Sequence, residues 1–496
     1  MFKNPLMLVA LSMTTVIAVW GVVDTDGLSA LASSATSTLF TSRGWFIMLT
    51  TSVMLLLIVA LALSPYGRIK LGQDWDKPEF STVSWLTMMF AAGMGVGLLY
   101  YGAAEPLTHF ALLSDYVDPA EAATIAHFVT TFHWGLHAWA IYGMVALVIA
   151  YFGFRKGTPK LMSAPLIAVF GRTRATVSVG WVTDLAAIVA IAIGVAGSLA
   201  MGVFQLEAGV VALFGLTDPA PWLPLALYAG MCATFLPPLL VDLGRGMAVL
   251  SNTAMVLAVG LMVFVLLAGP TSYVMSSIVG SIGEYIAGVV PHGFRTFTFF
   301  DARIEGWFRD WTLSYMAWWL AWGPFVGVFV ARISRGRTIR EFVFGVLLAP
   351  TLFSIVWFGV FSSVGFFGAL RTELPVLEVV AEDFNRSTFY LLEQLPLSAL
   401  TTLAVVLAAF LFIVTSVVSA AFVLGMFSSG GDANPAGRVK VIWGVILAAL
   451  GLVMILSDSI GAVRSIIALG AMPFLFIVHL LMVSLVRFLA REEVPR

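Results

Sequence analysis

Charge is scarce in this chain. Of its 496 residues only 11% are Asp, Glu, Lys or Arg, whereas soluble domains carry roughly 25%. That scarcity excludes an ordinary water-soluble domain. The formal net charge of −1 offers no basic surface, so no nucleic-acid partner is expected. Cysteine occurs once, at Cys232, which excludes a disulfide framework and a thiolate metal cluster. Period-2 alternation of the outer-membrane barrel kind is missing. So are a G-x-S-x-G elbow, a Walker A loop and a zinc signature. The sequence therefore predicts no enzyme activity and no cofactor.

What is present is apolar length. Hydrophobic residues make up 60% of the chain, and mean hydropathy is +0.99. Charge-free runs such as Ser52–Leu63, Met255–Ala268 and Ile442–Ile455 mark transmembrane helices. The first apolar run, Leu6–Val23, follows Lys3 but has no convincing small-residue cleavage site, and Asp24, Asp26 and Gly27 end it. It reads as a retained helix. The predicted class is an all-α integral membrane protein. Twelve spans are expected at 6–24, 44–64, 83–104, 124–152, 177–213, 221–241, 249–275, 307–331, 342–369, 392–427, 440–462 and 466–488.

Orientation follows from the basic residues of the loops. With the N-terminus inside, 19 of the 26 Lys and Arg residues fall on inner segments. The other 7 are Arg43, Arg295, Arg303, Arg309, Arg371, Arg386 and Arg464. Both termini are thus expected in the cytoplasm. Ser277–Arg295 reads as too broken to span and is expected to lie along the outer surface. It separates two blocks of five spans. An odd number per block forces opposite orientations, the arrangement of inverted-repeat transporters with sites near the membrane midplane. The expected domains are two N-terminal helices (1–64), a first repeat (83–275), the surface helix and linker (277–305) and a second repeat (307–488).

Two constellations carry chemistry. Gly93, Gly95 and Gly97 alternate within the third span, each costing on the order of 1 kcal/mol against alanine in a helix. Close helix packing is one reading. The other is an unwound segment whose free amides suit an anionic group and whose carbonyls suit sodium. The second is aromatic. Trp134, Trp139 and Tyr142 form a broad arc on one helix, and Trp318, Trp319 and Trp322 crowd another. The latter lie too deep in their span for an interfacial belt. Indole faces hold a quaternary ammonium by cation–π contact and need no carboxylate, and Glu105 reads as the outer end of its span. His133 and His137 have the i,i+4 spacing of a metal pair, but no third ligand is evident. A hydrogen-bonded structural role is the better reading.

Four stretches, FAAGMGVGLLYYGAAEP, FHWGLHAWAIY, WTLSYMAWWLAWGPFVGVFVARISRGRTIREF and FIVTSVVSA, lie in this order between residues 90 and 420. Together they resemble the betaine/choline/carnitine transporter family. The resemblance implies twelve helices with a leucine-transporter-like inverted-repeat core (5+5) after two extra helices, in a bacterial-type inner membrane, often as a homotrimer. It implies a substrate cage of Trp134, Trp139, Tyr142 and Trp319. Trp318 and Trp322 would line the cytoplasmic side, and the amides around Gly93, Met94, Gly95 and Gly97 would face the substrate's anionic end. A sodium site would use backbone oxygens of Ala91, Met94 and Phe412 and the hydroxyls of Thr415 and Ser416, or those hydroxyls simply bond to the preceding turn.

Departures narrow the expectation. Ile191 and Val195 stand where two-sodium members have threonines, although Phe325 is retained. Val418 replaces a common acidic residue, and no arginine lies in 177–213 to substitute for sodium. Met316 stands where relatives can carry an aromatic residue. Gly97, where choline and carnitine members often place aspartate, favours a zwitterion such as glycine betaine or dimethylsulfoniopropionate. The expected function is sodium symport of such a compatible solute. The alternative is a sodium-independent exchanger, or a carrier of choline, carnitine, ectoine or taurine.

Overall fold

The computed structural model describes residues 4–240, 244–457 and 459–492, and leaves the side chains of residues 90–94, 244–246, 248 and 492 outside that description. Helices dominate it. In chain order they are α1 Pro5–Val23, α2 Thr25–Leu63, α3 Thr82–Tyr101, α4 Ala104–Leu113, α5 Pro119–Trp134, α6 Leu136–Ala150, α7 Ala164–Phe170, α8 Arg174–Phe214, α9 Leu223–Phe235 and α10 Gly244–Ala268. They continue with α11 Thr271–Gly293, α12 Ala302–Phe308, α13 Ser314–Ile333, α14 Ile339–Arg371, α15 Val376–Glu382, α16 Ser387–Glu393, α17 Ser398–Ser428, α18 Gly437–Leu456 and α19 Ile460–Glu492. Among the described residues twelve helical runs are long and apolar enough to cross a membrane. The all-α membrane class read from composition is therefore the class observed.

Several boundaries differ from those expected. The outer loop expected between residues 24 and 44 is helix, because α2 starts at Thr25 and runs for 39 residues. Its Ser- and Thr-rich first half contains no proline, and Asp24 caps it by accepting from Gly27 N at 3.0 Å. The seventh span ends at Ala268, where Gly269 and Pro270 break the chain. The segment expected to be broken, Ser277–Arg295, is the greater part of α11, an unbroken helix of 23 residues. Its buried residues Val274, Ile278, Ser281, Tyr285, Val289 and His292 recur every three or four positions, so one stripe packs on α5 and α14. The tenth span starts late: Pro396 interrupts the run and Leu397 turns left-handed (φ 57°) before α17.

The two ends of the bundle are chemically different. At one end the basic loops are knitted together. Lys70 pairs with Thr338 in an isolated antiparallel bridge, Arg155 meets Asp74 at 2.8 Å and Arg335 meets Asp76 at 3.2 Å. A capping box of Thr338 and Glu341 starts α14 there. At the other end Tyr100 donates to Asn385 Oδ1 at 2.6 Å, and Arg303 pairs with Asp115 at 2.8 Å. Between these ends α13 packs most extensively against α6, and α17 against α8 and α10. The functional residues lie where these helices meet.

Candidate functional site

Two helix breaks shape the site. In α3, Gly95 leaves the helical region with φ 44° and ψ −146°, a left-handed φ that glycine takes without steric cost. The alternating glycines thus mark a true break. A Cβ on Gly95 would lie 3.6 Å from Ser416 Oγ, and one on Gly97 would lie 2.6 Å from the Trp134 ring. The break therefore sits between the aromatic cluster and α17. Ala91, Gly93 and Met94 fall outside the fully described residues.

The second break was not anticipated. The expected single span 124–152 is cut at Gly135, which ends α5 and opens α6. Leu136 N, left without a helical acceptor, donates to Tyr285 Oη of α11 at 2.7 Å. A Cβ on Gly135 would come within 2.1 Å of that oxygen, so glycine is required by close approach. The arc expected on one helix is thus divided: Trp134 stands on α5, and Trp139 and Tyr142 on α6.

The structure nevertheless brings the aromatic residues together. Ring centroids of Trp134 and Trp319 are 5.0 Å apart at 73°. Trp319 and Tyr142 follow at 5.8 Å, and Tyr142 and Trp139 at 5.6 Å and 88°. These near-perpendicular pairs form a continuous edge-to-face chain, Trp134–Trp319–Tyr142–Trp139. All four side chains are buried. Two indoles are fixed by hydrogen bonds: Trp134 Nε1 donates to Glu105 Oε2 at 2.9 Å, and Trp319 Nε1 to the His133 carbonyl at 2.8 Å. Among the described residues Trp139 Nε1, Tyr142 Oη, Trp318 Nε1 and Trp322 Nε1 are buried without a partner. Buried donors of this kind are rare in native proteins; those of Trp139 and Tyr142 belong to one ring pair.

Trp318 and Trp322, expected as neighbours on one side, diverge. Trp318 stacks on Trp319 at 5.4 Å and 4°, faces Tyr101 at 5.8 Å and borders a crevice with Arg464. Trp322 packs on Phe325 at 5.5 Å. Phe325 in turn lines two adjoining cavities of about 660 and 750 Å³. The first is bordered by Thr415 and Ser416, the second by Arg332, Asn434 and Lys440. Space is thus available from the cluster toward the basic loops, whereas the crevice at Arg464 holds only about 10 Å³. The physical reason for the divergence is spacing: residues i and i+4 stand one turn apart along the helix axis.

Phe412 and Thr415 are buried on α17. Thr415 Oγ1 donates back to the Leu411 carbonyl at 2.9 Å and the Phe412 carbonyl at 3.1 Å. Ser416 is half-buried and borders the cavity. The two adjacent hydroxyls are therefore not equivalent.

The residue that sequence reasoning missed is Glu105. It is fully buried beside the cage, not an exposed span end. Its carboxylate accepts from Trp134, from the Tyr315 hydroxyl and from His133 Nδ1 at 2.7 Å. His133 Nε2 then accepts from Thr312 Oγ1 at 2.9 Å. His109 lies with Nε2 3.4 Å from the same carboxylate, while its Nδ1 accepts from Trp307 Nε1 at 2.9 Å. Glu105, His109 and His133 offer ligand atoms within 4.8 Å of one another, a set compatible with a metal by distance. Yet Trp307, a donor only, leaves the His109 proton on Nε2, and the Glu105 carboxylate, an acceptor only, takes the Nδ1 proton of His133, so both rings turn a protonated nitrogen to the carboxylate side. That chemistry is a hydrogen-bond hub. His137 is separate, beyond the Gly135 break, and contacts Ser52 Oγ at 3.2 Å, in keeping with a structural role. The signal for the hub was weak: one acid after an apolar run.

Comparison with known proteins agrees with this architecture. A family model described as betaine/carnitine/choline family transporter matches residues 5–494. The chain is 40% identical over 487 residues to the glycine betaine transporter OpuD of Bacillus subtilis, covering 98% of this chain and 94% of that protein. It is 34% identical over 496 residues to a glycine betaine transporter of Acinetobacter baylyi, covering 98% and 73%. It is 32% identical over 494 residues to an ectoine/hydroxyectoine transporter of Virgibacillus pantothenticus, covering 99% and 97%. Twelve membrane-length helices, a broken glycine-rich helix and a buried aromatic cluster between helices thus accompany a whole-length family match, and the chain belongs to the betaine/carnitine/choline transporter family.

Proposed function

We propose that the protein is a sodium symporter that imports a zwitterionic onium compatible solute, glycine betaine or dimethylsulfoniopropionate, by alternating access. The observation that carries this reading is the meeting of Trp134, Trp139, Tyr142 and Trp319 in one buried aromatic cluster. A quaternary ammonium or sulfonium offers no N–H, so ring faces are its natural partners, at roughly 0.5–2 kcal/mol each. The substrate's carboxylate needs donors. The amides of the Gly93–Gly97 break supply them, and the unpartnered donors Trp139 Nε1 and Tyr142 Oη lie beside the cage. Trp318 and Trp322 continue the path on either side.

Sodium is assigned to backbone oxygens of Ala91, Met94 and Phe412 and the hydroxyls of Thr415 and Ser416. The approach of Gly95 to Ser416 Oγ supports this, because sodium wants oxygen ligands from both sides of the break. An ion there holds the broken helix against α17 and prepares the cage. Ile191 and Val195 offer no side-chain oxygen, so one sodium per substrate is expected. The opposed five-helix blocks supply the moving parts; the basic loops support cytoplasmic termini, and family likeness supports a bacterial-type inner membrane and a homotrimer.

Uptake into proteoliposomes tests the assignment. Trp319→Leu is expected to abolish onium uptake while the protein still folds and inserts; unchanged uptake would sink the cage. The ectoine/hydroxyectoine transporter among the relatives favours a second reading, a cyclic zwitterion in the same cage. Competition by ectoine for betaine-induced tryptophan fluorescence separates the two.

A further inference from the structure

We propose that Lys160, Arg332 and Lys440, with the Asn434 amide, form an anion site in the inner vestibule, which takes a phosphate dianion from solution and, when filled, obstructs the exit from the cage. The obstruction rests on the transport reading above; the binding does not.

Three connections assemble the site. Lys160 stands in the loop before α7, Arg332 in the last turn of α13 and Lys440 in the first turn of α18. After α17, Gly430 and Gly431 both turn left-handed, with φ 74° and 88°. A Cβ on Gly431 would lie 3.5 Å from Lys160 N, so this turn lays the α17–α18 loop against the Lys160 loop. Lys160, Arg332 and Asn434 line one cavity of about 250 Å³. Arg332, Asn434 and Lys440 line the adjoining cavity of about 750 Å³ that reaches Phe325. A phosphate has room in either.

The charge of this vestibule is one-sided. Among the described residues lining the two cavities none is acidic. The neighbouring acids are engaged elsewhere: Asp74 with Arg155 at 2.8 Å, Asp76 with Arg335 at 3.2 Å, and Asp432 with Asn434 N at 2.9 Å. Among the described residues none of Lys160, Arg332 and Lys440 forms an ion pair. Burial and the like charges of Arg332 and Arg335 hold the Lys160 ammonium below its ordinary value. No side chain caps α18 at Ala436, so its first amides add positive character beside Lys440. Basic residues gather on inner loops in any membrane protein, and Arg332 suits the end of its helix. Neither reason explains why three cations from separate elements face shared cavities that hold no acid. A dianion answers their charge, and the guanidinium takes two of its oxygens through paired N–H donors. Held there, it stands between Phe325 and the inner solution.

A phosphate titration of the purified protein in nonionic detergent, read by the unfolding midpoint at fixed ionic strength, tests the site. Phosphate is expected to raise the midpoint saturably and chloride is not. Arg332→Gln and Lys160→Gln are each expected to raise the half-saturating phosphate concentration about tenfold, and Arg332→Lys to raise it less than Arg332→Gln. Where one glutamine variant does not fold, the other decides. A shift that chloride matches overturns the proposal, as does equal half-saturation in wild type and variants. So does a shift given only by micelles doped with phosphatidylglycerol, which would assign the cations to a lipid headgroup. Proteoliposomes loaded with phosphate at its half-saturating concentration are expected to take up betaine about twofold more slowly than chloride-loaded ones, a difference that Arg332→Gln should remove. Binding with equal uptake overturns the obstruction. Wild-type protein that takes up no betaine would instead overturn the symport reading, and the detergent titration would still decide the site.

Discussion

The Trp134 indole N–H donates to Glu105 Oε2 at 2.9 Å, and the same oxygen accepts the Tyr315 hydroxyl. One buried carboxylate thereby joins a cage wall on α5 to the helix that carries Trp319. It sits where α4, α5 and α13 meet, and through His133 and Thr312 it reaches the turn before α13.

Glu105→Gln keeps the shape of this hub and breaks its chemistry. An amide has one acceptor oxygen, and its NH₂ would face donors. Leaving a buried donor unpaired costs about 1–3 kcal/mol. The expected outcome is a lower unfolding midpoint in detergent and betaine affinity weakened about tenfold or more, read by tryptophan fluorescence. Unchanged affinity would show that the hub positions nothing in the cage.

Gly135→Ala tests the second break. The added methyl meets Tyr285 Oη at 2.1 Å, an overpacking expected to cost about 1–3 kcal/mol. Tyr285→Phe removes the oxygen but also the acceptor of Leu136 N. Measured by thermal unfolding, the double variant should lose less than the sum of the two single losses. Strict additivity would mean the two residues do not press on each other.

The hydroxyls of α17 should separate in a sodium titration of uptake. Ser416→Ala removes an oxygen that borders the cavity and faces Gly95. It is expected to raise the half-saturating sodium concentration about tenfold, close to 1.4 kcal/mol. Thr415→Ala should raise it less, because that hydroxyl is already engaged with the Leu411 and Phe412 carbonyls. Equal sodium dependence in wild type and both variants would remove the site.

Much of this was legible in the chain. Alternating glycines at residues 93, 95 and 97 in an apolar run announced a break, and the one at Gly95 is there. Tryptophans on two distant segments suggested a shared cluster, and the rings of Trp134 and Trp319 meet. What stayed hidden depended on distant partners. Gly135 looks like any small residue until Tyr285, 149 residues beyond its neighbour Leu136, fills the space beside it. Glu105 looks like a span end until Trp134, His133 and Tyr315 from other helices converge on it. The length of α2 was hidden for another reason: serine and threonine suggest a loop by polarity, yet nothing in Thr25–Gly44 prevents a helix once α19 packs beside it.

The bond from Leu136 N to Tyr285 Oη has a mechanical meaning. Lipid offers an open backbone amide no other acceptor. Lifting α11 away would strip that amide and expose the joint between α5 and α6, so α11 serves as a splint on this joint. When the helices around the cage rearrange, α11 must travel with them as a passenger. A molecule wedged under α11 would therefore act on the transport cycle while touching no residue of the cage.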